Sequence, residues 1–152
     1  MTEKENIDAS SPTPIAIVGV ACRFPGDASS PENLWNVLSK GKSAWREFPA
    51  DRLNINGFYH PSVRSDSFNF KGAHFIDEDV SAFDAKFFGV AQAEADAIDP
   101  QQRILLEVSY EAVENAGFPM ETFQGSNTCV FIGSFVKDYE QISMRDSQTT
   151  AP

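Results

Sequence analysis

Two cysteines and two histidines are the side chains of this 152-residue sequence best suited to nucleophilic, acid-base or soft-metal chemistry. Cys22 stands beside Arg23, whose positive charge would favour a thiolate, so a small thiol enzyme built on Cys22 is one reading. It predicts rapid iodoacetamide labelling near neutral pH. Cys129 lies inside the apolar run NTCVFIGSF at 127–135, where burial would raise its pKa and silence it. With no CxxC and no Cys/His spacing, neither a zinc site nor a disulfide framework is supported, and both thiols are expected to be small buried groups. His60 in Phe-Tyr-His-Pro and His74 in Gly-Ala-His-Phe stand at no ligand spacing from each other or from a cysteine, so structural roles are expected for both. Gly19 and Gly26 do not complete GxGxxG, which removes a dinucleotide site.

The element best written into the sequence is a helix at 100–116. Asp99 suits the N-cap, Pro100 the first helical position and Gly117 a left-handed C-terminal cap. Projected at ~100° per residue, Ile104, Leu105, Leu106, Val108, Ala112, Val113 and Ala116 span an arc of roughly 200°. Such an arc predicts a central helix covered over most of its girth, wetted only along Arg103, Glu107, Glu111 and Glu114. Arg103 and Glu107 are spaced for an exposed ion pair worth about 0.3 to 0.5 kcal/mol.

Around it, PIAIVGV at 14–20 is apolar at every residue but Gly19, which predicts a strand buried on both faces, with Gly19 admitting close backbone packing. The run 127–135 predicts a second such strand, where Gly133 and Ser134 leave room for another backbone. Ser30-Pro31 opens an amphipathic helix carrying Leu34, Trp35, Val37 and Leu38, which Gly41 stops. Between 45 and 72 periodicity vanishes while Phe48, Phe58, Tyr59, Phe68 and Phe70 accumulate; a loop this long needs a partner surface for its aromatics. A capped turn or helix is expected at 76–89, a connecting turn at 118–125 and a short helix at 137–145. Residues 1–11 read as a disordered tail, and 146–152 carry no structural signal. There is no internal repeat.

Charge narrows the partners. Twelve basic against twenty-two acidic residues give −10, which argues against nucleic acid and anionic membranes. No apolar run approaches the ~20 residues of a membrane span and nothing reads as a signal peptide, so a cytoplasmic protein is expected.

The stretch AEADAIDPQQRILLEVSYEAVENAG, with PIAIVGVACRFPG and FNFKGAHFIDEDVSAFDAKFFG before it in the same order, resembles the β-ketoacyl synthase (ketosynthase) domain that opens fungal type I, highly reducing polyketide synthases. The likeness runs from Pro14 to about Asp146, with Ile98 where that family more often has Met, a volume-conserving change. It implies an α/β, thiolase-like layered α-β-α fold of which this is the N-terminal portion, with residues 12–152 forming a partial synthase domain behind the tail 1–11. The parent would catalyse decarboxylative Claisen condensation of acyl-thioesters in polyketide biosynthesis, as a homodimer working with an acyl carrier protein and its phosphopantetheine-bound acyl groups. That chemistry needs a cysteine in a small-residue elbow resembling DTACSSS at a helix N-terminus, and two histidine motifs, none of which occurs here. In the PIAIVGVACRFPG block Cys22 is structural by this likeness, and no catalytic role transfers to Gln101, Gln102 or Arg103. No catalytic, cofactor-binding or metal residue is therefore assigned, and the chain is expected to be inactive alone. The alternative is a non-catalytic interaction protein, derived from a ketosynthase, that docks on an intact synthase.

Overall fold

In the computed structural model, residues 14–145 are described, so the expected tail 1–11 and the segment 146–152 lie outside the described residues. Helix α3, Pro100–Asn115, forms where its end signals place it. Asp99 accepts the Gln101 N–H at 2.8 Å and Pro100 follows without a donor to lose. At the other end Gly117 adopts φ +75°, its N–H donates to Glu114 O at 2.9 Å, and the Phe118 N–H reaches Val113 O at 3.3 Å. This pair of bonds is a Schellman cap, which glycine's freedom at positive φ permits. Helix α1, Pro31–Ser39, repeats the scheme, with the Ser30 hydroxyl capping the Asn33 N–H at 3.2 Å and Lys42 N–H closing on Val37 O at 3.0 Å. A short helix α2, Gln92–Ala97, precedes α3, and α4, Asp138–Arg145, forms in the place expected for it.

The aperiodic stretch after α1 is a long antiparallel excursion. Strand β1, Trp45–Glu47, pairs with β2, Gly72–His74, in the register Trp45↔His74, Arg46↔Ala73 and Glu47↔Gly72. Phe48 N–H extends the pairing to Lys71 O at 3.1 Å. Between them the aromatics find partners largely among themselves. Phe48 lies 5.2 Å from Phe75 and 6.0 Å from Phe70, and Phe68 lies 5.2 Å from Phe70. Each offset or edge-on pair adds about 0.5 to 1.5 kcal/mol to its burial. The guanidinium groups of Arg46 and Arg52 sit 5.8 and 5.9 Å from the Phe75 ring centre, and both donate to Ile76 O. Residues 76–89 remain a series of turns, in which Phe83 stacks on Phe88 at 5.2 Å and Phe87 meets Tyr110 of α3 edge-on at 4.9 Å. The connection at 118–125 contains a single 3₁₀ turn, Met120–Phe123.

Three expectations need correction. The segments 14–20 and 127–135 run without regular structure and join no ladder, and their apolar side chains are exposed: Ile15 by 92%, Phe131 by 92% and Phe135 by 98%. An apolar run becomes a strand only when neighbouring strands take its backbone groups and layers cover its faces; among the described residues nothing does so. Gly19 nevertheless makes the close approach expected of it. A Cβ there would lie 2.2 Å from Ala112 O and 2.8 Å from the Ala116 Cβ, and Val20 N–H donates to Asn115 Oδ1 at 3.0 Å, so 14–20 is laid against α3. Nothing lies within 4 Å of a Cβ at Gly133, so the second expected approach is not made.

The third concerns α3 itself. Leu105 and Leu106 remain partly open, whereas Arg103, expected on the wetted ribbon, is only 9% exposed. The side chain of Arg103 turns toward the 76–89 turns and donates from Nη1 to Ser81 O at 3.3 Å, and no Arg103–Glu107 bridge occurs among the described residues. The turns cover the face that the charges occupy, and the leucine face awaits a cover.

Candidate functional site

The four residues suited to chemistry are scattered. Cys22 is half-buried with its Sγ 4.0 Å from Ala28 O, whereas Cys129 is exposed, contrary to the burial expected of it, because its segment is uncovered. His60 closes a local turn in which Ser62 N–H donates to its Nδ1 at 3.1 Å and its own N–H donates to Phe68 O at 2.8 Å. His74 holds its place in β2 opposite Trp45. Among the described residues no group of three or more His, Cys, Asp and Glu side chains is placed to hold a metal ion.

Arg23 decides the thiol reading. Its Nε donates to Glu78 Oε2 at 2.8 Å, its Nη1 to Glu111 Oε2 at 2.9 Å and to Ser29 O at 2.8 Å, and its Nη2 to Glu111 Oε1. The fork is thus bidentate on Glu111 and shared with Glu78, the arrangement for which guanidinium geometry is suited. The hydrogen bond to Glu111 is the main reason the guanidinium is held above even arginine's usual range, with Glu78 adding to it against the cost of burial. Its charge is spent on two carboxylates and faces the Cys22 carbonyl, at 3.3 Å, not a thiolate. Arg23 therefore joins the N-terminal segment, the 76–89 turns and α3. Sequence reasoning singled out Arg23 only as a neighbour of Cys22; the available signal was Glu111, one of the acidic residues of α3 with no basic residue three or four positions away.

Two open cavities border α3. One of about 380 Å³ is lined by Ile76, Glu78, Val80, Phe83, Ile104 and Glu107 among others. Burial pushes the Glu107 carboxyl above its usual range, with Glu111 and Glu78 adding to it and Arg23 and Arg103 opposing. The other, of about 640 Å³, lies between the α2–α3 junction and α4, against Ile98, Gln102, Val136, Tyr139 and Met144. No cysteine or histidine lines either cavity. What the arrangement offers is a folded edge: capped helices, a clamped N-terminal segment and two apolar runs open to solvent.

Comparisons with known proteins place that edge. The solved oxazolomycin ketosynthase domain OzmH KS7 of Streptomyces albus JA3453 superposes with a TM-score of 0.66 at 35% identity, over 71% of this chain and 19% of that one. A ketosynthase from module 6 of the bacillaene synthase of Bacillus subtilis 168 gives 0.60 at 34%, over 70% and 17%. The fold is accordingly the N-terminal portion of the layered α/β, thiolase-like fold of ketosynthases. The family described as "Beta-ketoacyl synthase, N-terminal domain" matches residues 12–151, and the chain belongs to it. Similar relatives are the highly reducing polyketide synthase sdnO of Sordaria araneosa, 52% identical over 90% of this chain, and the lovastatin diketide synthase mokB of Monascus pilosus, 46% identical over 96%. The chain spans 4% and 6% of their lengths, respectively. No helix among the described residues is long and apolar enough to cross a membrane.

Proposed function

We propose that residues 12–152 form the first part of the ketosynthase domain of a fungal highly reducing polyketide synthase, and that its parent performs decarboxylative Claisen condensation in the cytoplasm. In that reaction a cysteine thiolate takes the acyl group from a thioester, the malonyl extender loses carbon dioxide, and the resulting carbanion attacks the acyl carbonyl and expels the thiolate. The acyl groups arrive on the phosphopantetheine arm of an acyl carrier protein, and the working domain is a homodimer. This chain contributes no nucleophile, histidine or metal ligand to the reaction. Its part is architectural: α3, the Arg23 clamp and the two apolar runs form one side of the layers that carry the chemistry elsewhere.

The observation that carries this reading is the pairing of family-wide likeness over 12–151 with uncovered apolar runs. A chimera tests it. In the Sordaria araneosa synthase, the stretch this chain matches is replaced by the chain, and formation of a 3-oxoacyl product from acyl and malonyl thioesters is measured. The expected outcome is condensation by the chimera and none by the isolated chain. A folded but inactive chimera, or turnover by the isolated chain, overturns the reading.

A further inference from the structure

Arginines buried in folded proteins are paired, because an unpaired charge gives up its hydration for nothing in return. Arg103 departs from that rule. It is the buried charged residue among the described residues, and its guanidinium makes a single hydrogen bond, from Nη1 to Ser81 O at 3.3 Å. Nε is closed from solvent and has no acceptor, and Nη2 finds none among the described residues either. Nε and Nη2 share one edge of the fork, the edge that offers two parallel N–H bonds to a carboxylate.

The carboxylates nearby are engaged elsewhere. Glu78 and Glu111 hold Arg23, Asp79 accepts the N–H and the hydroxyl of Ser81 at 2.9 and 2.6 Å, and Asp84 accepts the Phe87 N–H at 3.0 Å. Glu107, one turn along α3, senses Arg103 through space without bridging to it. Leu106, three residues on and therefore on the same side of the helix, is still partly open. A free anion would have to shed its hydration to enter here with nothing to offset the cost. A carboxylate carried by a polypeptide that closes over Leu106 brings apolar burial to offset it.

We infer that Arg103 is half of an ion pair completed by an Asp or Glu side chain from polypeptide outside the described residues, which meets the Nε–Nη2 edge as apolar surface closes over Leu106. This rests on the family reading above for the polypeptide concerned, and adds to it the chemistry of the group at this position. The pair sets register more than strength: a neighbour shifted along α3 leaves two buried charges unpaired.

The test is Arg103→Met, which keeps an unbranched apolar stem and removes the charge. It is made in the Glu107→Gln background, so that the long-range attraction between the two side chains does not enter the comparison. Amide exchange of α3 reads the stability of the helix in the isolated chain and in the chimera with the Sordaria araneosa synthase. In the chain, Arg103→Met is expected to slow exchange about threefold or more, since an unpaired buried cation gives way to an apolar group. In the chimera it is expected to accelerate exchange about threefold or more, since a carboxylate loses its partner, and Arg103→Lys restores part of the protection. The chimera's difference shrinks as pH falls below about 4, because a paired carboxylate contributes above its lowered pKa and ceases to below it. No reversal of sign between chain and chimera, or a difference in the chimera that is indifferent to pH, overturns the inference. Formation of the 3-oxoacyl product is measured alongside. Product without the reversal overturns the inference alone, and a folded chimera without product overturns the family reading on which it rests.

Discussion

Arg23 is the residue on which the packing of three segments converges, and removing it tests that convergence. Its side chain is 13% exposed, and its partners Glu78 and Glu111 are more open, so Arg23→Ala is expected to cost about 2 kcal/mol in urea denaturation of the chain. Arg23→Lys should recover less than half of that, because an ammonium cannot hold Glu111 through two parallel bonds. Cysteine reactivity follows from the same clamp: iodoacetamide should label exposed Cys129 well before half-buried Cys22, as read by peptide mass spectrometry. Faster labelling of Cys22 would revive the thiol-enzyme reading. Glu107 gives a pH signature. Because its pKa is raised in the fold, the folded state holds that proton more tightly than the unfolded one, so its contribution is favourable at low pH and is lost as pH rises through the folded value. Glu107→Gln should therefore raise the melting temperature at pH 7, with the gain shrinking as pH falls below the raised value. A gain independent of pH would point to packing, not charge.

Among the elements, the helices were legible and the layers were not. Asp99, Pro100 and Gly117 mark α3 with local chemistry, and Ser30, Pro31 and Gly41 mark α1, because caps are satisfied within a few residues of the chain. The runs at 14–20 and 127–135 carried an equally plain apolar signal, yet a strand is completed by groups distant in sequence, and those are not present among the described residues. The inversion of α3, with Arg103 inside and Leu106 partly open, has the same origin. Periodicity tells which residues prefer cover, while the turns at 76–89 decide which face is covered first. The Arg23 clamp was not readable, since it joins residues 88 apart in sequence. Gly19 supplies the element-scale prediction. A larger side chain there collides with the α3 backbone, so Gly19→Val should cost about 1 to 3 kcal/mol and detach 14–20 from α3, seen as loss of amide protection at Val20.

At the scale of the whole molecule, a net charge of −10 disfavours close approach between copies while the uncovered runs favour it. The isolated chain should bind the dye ANS and self-associate more strongly as salt screens its charge, measured by light scattering between low and high ionic strength. On the reading proposed above, those runs are covered by layers not present among the described residues. Amide hydrogen exchange at 15–18 and 130–136, followed in the isolated chain and in the covalent chimera with the Sordaria araneosa synthase, tests this most directly. The account predicts exchange near the unprotected rate in the chain alone and strong protection in the chimera. Protection of these amides already present in the isolated chain would contradict it.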